Sequence, residues 1–293
     1  MKTNTFFILV FTLLTLFTQC KPDKTESKDI GSEIMISDSI GNTVFLLPSP
    51  DEILNEIFFE KIELNPSYVN PIEKSSSYID TRYQALNLGV FIADFAYLSF
   101  TDNKQKEIEY LKVIKELSEK VNLYGLMDEK LLNRIQANLT NNDTLQNISQ
   151  EMYYSLSDNL ENTNRSNIFT LISTGTIVEA LYLASMNVTS YKEFEDVIKR
   201  MFEQKFVFEN FYEFAIQYST DEYVKSILGQ LDQLKMMFEN LQKNETATKI
   251  TKTEGNNFRI EGGIEFVINE KVFQNFKINI TKIREEIVNV SNN

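Results

Sequence analysis

The sequence contains no histidine and no tryptophan, and it has a single cysteine among 293 residues. The absence of histidine excludes a Ser-His-Asp hydrolase, a zinc site built on imidazole and a histidine general base. One thiol, that of Cys20, excludes an intrachain disulfide and an iron–sulfur centre held by this chain alone. An enzyme made from this sequence would have to use carboxylates, tyrosine, lysine or a Ser–Lys pair.

The chain also has little glycine and proline, and its lack of tryptophan bears on carbohydrate binding. There are only 9 glycines and 5 prolines, which predicts few tight turns and therefore helices rather than many short strands. Without tryptophan, a carbohydrate site would lack the broad indole platform that such sites commonly use. Apolar residues make up 42% of the chain, which is enough to fill a sizeable core.

The charge of the chain is strongly unbalanced, with 29 basic and 42 acidic residues and a formal net charge of −13. This balance argues against a nucleic-acid partner, because binding to phosphates depends on clustered lysine and arginine. It equally disfavours a polybasic attachment to anionic lipid. We expect no nucleic-acid partner, no cofactor and no metal.

The N-terminus is typical of a targeting signal. Lys2 supplies the positive charge, and the apolar run from Phe6 to Thr18 is shorter than the roughly 20 residues of a membrane-spanning helix. Cys20 follows, and the segment resembles a bacterial lipoprotein signal, whose cysteine is lipidated and becomes the mature N-terminus. The usual box has leucine three residues before the cysteine and a small residue directly before it, whereas Phe17 and Gln19 stand here. A cysteine in an uncleaved or differently cleaved signal is the alternative.

The residues after Cys20 are polar and charged, with nothing to bury, so residues 20–33 are predicted to form a disordered tether. We therefore divide the chain into a signal peptide at 1–19, this tether, and a single helical domain at 34–293. Lipidation would place the protein in the bacterial cell envelope, with the outer membrane as the predicted anchor. The periplasmic or external face is left open.

The clearest helix start is the segment LPSPDEI. Ser49 can cap the helix, Pro50 occupies its first position, and Glu52 completes an S-x-x-E capping box. Short connections between later helices predict antiparallel neighbours. The fold class is all-α, either an antiparallel multi-helix bundle or a short tetratricopeptide-like superhelix. Helical periodicity predicts further helices at about 75–100, 103–122, 127–138, 143–161, 166–187, 190–204, 206–218 and 221–242.

The C-terminal region is predicted to differ from the helical body. Residues 243–256 are polar and are predicted to form a loop. Residues 257–268 are predicted to form a small β-hairpin that turns at Gly262 and Gly263. A final helix is predicted to begin at Asn269.

Two predicted helices resemble each other. The segments YQALNLGVFIADFAYLS and LISTGTIVEALYLAS are apolar on nearly every side, and each has a central glycine, then one acidic residue, then a tyrosine. A helix that is apolar all round is a buried one. Gly89 and Gly175 would let neighbouring backbones approach closely, which indicates a duplicated helical-hairpin unit.

The segments LPSPDEI, ALNLGVFIADFAYLS and GTIVEALYLAS, in that order, also resemble segments of a family of Bacteroidetes-type envelope lipoproteins of about this length. The resemblance spans roughly residues 47–185. Members often have a tryptophan in the region where Thr176 and Ile177 stand here, so any role of an indole is lost. The resemblance implies a helical envelope lipoprotein and implies no reaction.

The candidate site residues lie on these two helices. Asp94 and Glu179 are carboxylates on helices that should be buried, where a charge is costly unless it is paired or hydrogen-bonded. One interpretation is a polar pocket for a ligand or for acid–base chemistry. The other, which we favour, is a structural network satisfied by tyrosines, helix ends or a basic partner such as Arg82, Arg165 or Arg284. The candidate set is Asn87, Asp94, Tyr97, Glu179 and Tyr182.

The sequence favours a non-enzymatic binding or scaffold module that is attached to the membrane through Cys20, with an envelope protein as a candidate partner. One alternative is a carboxylate-based hydrolase, for example of polysaccharide, using Asp94 and Glu179. It would require an open cleft and carboxyl groups about 5–10 Å apart. A second alternative is a SusD-like nutrient-binding lipoprotein, for which the chain is short and lacks tryptophan.

Overall fold

A computed structural model describes residues 36–37, 44–45, 47–58, 62–101, 103–252 and 258–289. The signal peptide, Cys20 and the tether lie outside these residues, so their predictions stay predictions. The described chain is a helical bundle with one long β-hairpin, which confirms the predicted all-α class.

The helices follow one another with short connections. A 3-10 helix lies at Ile72–Ser77. The long helix after it begins only at Thr81, because the Asp80 side chain accepts a hydrogen bond from the Arg82 N–H and caps the helix there. The α-helices are α1 Pro50–Ile57, α2 Thr81–Leu98, α3 Lys104–Lys120, α4 Glu129–Ala137, α5 Asn142–Asn162, α6 Ser166–Asn187, α7 Glu195–Glu203, α8 Lys205–Ile216, α9 Glu222–Glu239 and α10 Glu270–Val288.

The start of α1 confirms the predicted capping box. The Glu52 N–H donates to the Ser49 hydroxyl at 3.3 Å, and the Ser49 N–H donates to the Glu52 carboxylate at 2.7 Å. Two short strands, β1 Ile36–Ser37 and β2 Val44–Phe45, precede this helix and pair antiparallel.

Helices α2 and α6 form the centre of the bundle. Every residue from Ala85 to Leu98 is buried, and so is nearly every residue from Ile168 to Asn187. Within the described part of the chain, α6 alone is long and apolar enough to cross a membrane, but 94% of its apolar window is buried inside the fold. Its apolar surface therefore packs against the rest of the protein in this structure.

Two pairs of consecutive helices pack as antiparallel neighbours, as their short connections predict. Phe91 of α2 contacts Tyr110 of α3, with ring centroids 5.7 Å apart. Phe208 of α8 contacts Phe238 of α9 at 5.4 Å. In the first pair the two residues lie at similar distances from the connection. In the second, Tyr212, four residues after Phe208, donates to Asp232, six residues before Phe238, so the two helices run in opposite directions.

The polar segment 243–256 is not the predicted loop over most of its length. Residues Lys243–Lys252 form strand β3, which pairs antiparallel with β4, Phe258–Phe266. The physical reason is the density of threonine and isoleucine in TATKITK, since β-branched side chains favour strands even where the other residues are polar. Composition alone was therefore a poor guide to this segment.

The predicted turn at Gly262 and Gly263 is also wrong. Gly263 lies inside β4 opposite Thr246, with a φ of 104°. The strand register shifts between Thr246 and Lys249, so this glycine accompanies a β-bulge rather than a turn. The hairpin is therefore longer than predicted and begins earlier.

Candidate functional site

The site is positioned by a close crossing of α2 and α6. A Cβ atom added to Gly89 would lie 1.9 Å from the carbonyl oxygen of Ile172. The relation is reciprocal, because a Cβ added to Gly175 would lie 1.9 Å from the carbonyl oxygen of Leu86. Only glycine allows two backbones to approach this closely. The two similar sequence segments therefore occupy equivalent places at the crossing.

The two central helices run in the same direction beyond this crossing. Asp94 follows Gly89 by five residues, and Glu179 follows Gly175 by four, so both carboxyl groups lie on the same side of the crossing. There burial and the nearby charge of Glu179 both raise the pKa of Asp94. The structure thus brings together the two acidic residues that the sequence singles out.

Glu179 is held by a basic partner from the last helix. Arg284 of α10 donates from Nε to Glu179 Oε2 at 2.9 Å and from Nη2 to Oε1 at 3.0 Å. Glu179 is fully buried and Arg284 is 8% exposed. This bidentate geometry is the strongest form of a carboxylate–guanidinium pair. Burial alone would lower the pKa of Arg284, but the charge of Glu179 outweighs it and raises that pKa.

Asp94 has no basic partner of its own at hydrogen-bond distance among the described residues. Its Oδ2 accepts the backbone N–H of Asn70 at 3.1 Å, and its side chain is completely buried. Burial raises the pKa of the Asp94 carboxyl well above its usual range, and the charge of Glu179 raises it further. The other carboxyl oxygen of Asp94, Oδ1, is buried and has no hydrogen-bond partner among the described residues.

Asn70 is a central residue that the sequence analysis missed. Its N–H donates to Asp94, its side-chain amide donates to the Tyr78 hydroxyl at 3.1 Å, and its carbonyl accepts from the Tyr110 hydroxyl at 2.6 Å. The Tyr78 hydroxyl donates in turn to the Val288 carbonyl, and burial raises the pKa of Tyr78 to about 12. The only sequence signal for Asn70 is the following Pro71, because an Asn-Pro pair favours a turn.

The remaining predicted residues divide between this cluster and its surroundings. The guanidinium carbon Cζ of Arg284 lies 4.4 Å from the centroid of the Tyr182 ring, so Tyr182 belongs to the cluster through a cation–π contact. Asn87 donates to the backbone carbonyls of Tyr83 and Ile287, both at 2.9 Å, which ties α2 to α10.

Tyr97 belongs to a separate polar network. Its hydroxyl donates to the Asn65 carbonyl at 3.1 Å and accepts from the Asn187 amide at 2.9 Å. Asn187 also accepts the N–H of Asn65 at 3.0 Å. This network fastens the segment before the 3-10 helix to the end of α6. It is not part of the carboxylate cluster.

The arrangement is closed to solvent. The carboxyl groups of Asp94 and Glu179 are fully buried, and their neighbours are protein groups on α2, α6, α10 and the segment around Asn70. Among the residues that the structure describes, no group of three or more acidic or cysteine side chains is placed to hold a metal ion. The cluster presents no exposed carboxyl group to a substrate in this structure.

Three cavities on the described surface have other linings. One of about 390 Å³ lies between α4 and α5 and includes Arg134 and Glu151, which form an exposed ion pair. One of about 840 Å³ lies beside α1 and includes Glu52 and Asp143. A third, of about 530 Å³, lies between α9 and α10. None of these three opens onto Asp94 or Glu179.

Comparisons of this chain with protein-family models, with curated proteins and with solved structures found no match.

Proposed function

We propose that this protein is a lipid-anchored protein of the bacterial cell envelope whose folded part is a non-enzymatic binding or scaffold module. The observation that carries the proposal is the closure of the Asp94, Glu179 and Arg284 cluster. The side chains best suited to acid–base chemistry in a chain without histidine are engaged with each other and with α10. They contribute cohesion rather than reactivity.

The geometry does not favour the carboxylate hydrolase. Such an enzyme needs two carboxyl groups separated by about 5–10 Å across a cleft that admits the substrate. Here Asp94 and Glu179 are fully buried, and Arg284 occupies both oxygens of Glu179. A substrate would have to displace a buried bidentate ion pair before it could reach either acid.

The proposed attachment to the membrane is through fatty acid on Cys20. The apolar faces of α6 are covered by the bundle, which supports a lipid rather than this helix as the anchor. Acyl chains contribute about 0.8 kcal/mol for each buried methylene, and two signals are needed for stable anchoring. The polar residues that follow Cys20 would hold the folded body near the membrane without inserting it.

A cysteine replacement tests this proposal. The wild-type chain is expected to incorporate an alkyne-labelled fatty acid, to sediment with membranes and to migrate on a gel as the lipidated form. Cys20→Ser, which keeps the side-chain size, should lose all three properties, and Thr18→Ser is a matched control that should keep them. Retention of Cys20→Ser in the membrane fraction with unaltered migration would contradict the proposed anchor.

A further inference from the structure

The groove between α9 and α10 is distinguished by the chemistry of its lining. In a chain with 24% charged residues, all its lining residues are uncharged. The lining combines apolar side chains, among them Met236 and Val267, with amide side chains from α9, α10 and the residues that flank the hairpin. The lining consists of Gln233, Met236, Met237, Asn240, Leu241, Gln242, Val267, Asn269, Val272, Asn275 and Asn279.

Several of these amides have no hydrogen-bond partner among the described residues. The side chains of Gln233, Gln242 and Asn275 are exposed and make no hydrogen bond within the described part of the chain. Asn240 and Asn279 each donate to the carbonyl four residues earlier, which leaves their amide oxygens as acceptors. The groove lining therefore offers amide donors and acceptors together with apolar side chains.

Two apolar side chains of the lining are exposed to solvent. Met236 is 52% exposed and Val267 is 36% exposed. Methionine is flexible and polarisable, and it is frequent on surfaces that accommodate varied apolar partners. The volume of about 530 Å³ lies within the range of about 300–1,000 Å³ that is usual for ligand sites.

The dimensions fit a short extended chain. From Asn269 to Asn279 the helix advances about 15 Å, at about 1.5 Å per residue. An extended peptide advances about 3.3 Å per residue, so four to five of its residues would follow the groove. Amide side chains match peptide groups because both carry one donor group and one acceptor. The lining has no aromatic ring on which a sugar could stack.

We propose that this groove binds an extended, uncharged peptide segment with apolar side chains, supplied by a partner protein. The inference rests on the proposed role of the folded body as a binding module, and it gives that module a location. The amides pair with the backbone of the segment, and Met236, Met237 and Val267 accept its side chains. A charged residue in the segment would be desolvated without a partner and is therefore rejected.

A library of random nine-residue peptides displayed on phage tests this proposal on the purified full-length protein in detergent. We expect enrichment of peptides with four to five consecutive uncharged positions that include apolar residues. Met236→Glu, which changes an exposed side chain, should bind the selected peptides at least tenfold more weakly. Ile79→Glu changes an apolar residue that is 86% exposed outside the groove, so it is the matched control and should bind normally.

Three results would overturn the groove proposal. The wild-type protein could enrich no peptides beyond those that Met236→Glu enriches, or the two proteins could bind the selected peptides equally. The wild-type protein could also bind maltoheptaose and no peptide. Circular dichroism of Met236→Glu and Ile79→Glu verifies that both variants are folded. The library result does not depend on the lipid anchor. If no peptide is enriched while the wild-type chain still incorporates fatty acid, only the groove proposal is rejected. If the wild-type chain incorporates no fatty acid, only the proposed anchor is rejected.

Discussion

Asp51 shows most clearly how burial sets the properties of a single residue in this protein. It lies in the first turn of α1, it is fully buried, and its Oδ2 accepts the Ser149 hydroxyl at 2.7 Å. Its Oδ1 has no partner among the described residues. Burial raises the pKa of Asp51 from 3.8 to about 7, and the hydrogen bond from Ser149 opposes this only in part. The capping box drew attention to its neighbours Ser49 and Glu52, and the sequence gives no sign that Asp51 points inward.

The raised pKa predicts a pH-dependent stability. The folded protein holds the Asp51 proton more tightly than the unfolded chain does, and this difference stabilises the fold. The stabilisation is fully present below about pH 4 and is lost as the pH rises through about 7. The loss is on the order of 4 kcal/mol at about 1.4 kcal/mol per pKa unit. Asp51→Asn cannot ionise and so avoids this loss, but its buried amide lacks a full set of partners, which costs about 1–3 kcal/mol. We therefore expect the variant to be about 1–3 kcal/mol more stable than wild type at pH 8.

Urea denaturation of wild type and Asp51→Asn at pH 5 and at pH 8 measures this effect. The advantage of the variant should appear only at the higher pH. An equal difference at both pH values would show that Asp51 does not titrate in this range.

Asp94 is expected to behave as a neutral hydrogen-bonding group. Asp94→Asn keeps an oxygen for the Asn70 N–H and carries no charge, so it reproduces the protonated acid. We expect its unfolding free energy at pH 7 to lie within about 1 kcal/mol of wild type. Asp94→Leu leaves a buried N–H unpaired and should cost about 1–3 kcal/mol by the same denaturation measurement. A large loss in Asp94→Asn would mean that the residue is needed as an anion.

At the scale of elements, the crossing of α2 and α6 depends on glycine. Gly89→Ala would force the Cβ into the backbone carbonyl of Ile172, so the two helices must separate. We expect a loss of about 3 kcal/mol or more, because the atom that blocks the space is backbone. Gly229→Ala is the matched control on α9, where no atom lies within 4 Å of the added Cβ. It should be about 0.5–1 kcal/mol more stable than wild type, since alanine favours a helix.

Thermal unfolding of both glycine variants compares the two effects directly. The melting temperature should fall in Gly89→Ala and rise in Gly229→Ala. A Gly89→Ala protein as stable as wild type would show that α2 and α6 do not approach as described.

Helices were predictable from the sequence where periodicity and caps agreed. The buried face of α10 uses Phe276, Ile280, Ile283 and Ile287, which recur at helical spacing. The helix begins at Glu270, one residue after the predicted start at Asn269, which caps it. The hairpin was less predictable because its first strand, KNETATKITK, is mostly polar and lacks a regular apolar alternation. The similarity of the segments around Gly89 and Gly175 indicated close packing. Their reciprocal contact with each other is a long-range fact that no local pattern contains.

At the scale of the whole molecule, the polar cluster joins distant parts of the chain. Asp94 comes from α2, Glu179 from α6 and Arg284 from α10, and Asn70 adds the segment before the 3-10 helix. The sequence predicted two acids in buried helices, because a carboxylate among apolar residues is conspicuous. It left the basic partner open among three arginines, since pairing across more than one hundred residues depends on the fold. The network supports the interpretation that these residues hold the bundle together.

The most direct test of this central claim is a double-mutant cycle for Glu179 and Arg284, measured by urea denaturation at pH 7. Glu179→Met and Arg284→Met each leave one buried charge without its partner and should each cost about 3–5 kcal/mol. The double variant removes both charges and should lose less than the sum of the two single variants by about 2 kcal/mol or more. Additive losses, or single variants as stable as wild type, would contradict a structural role for the pair.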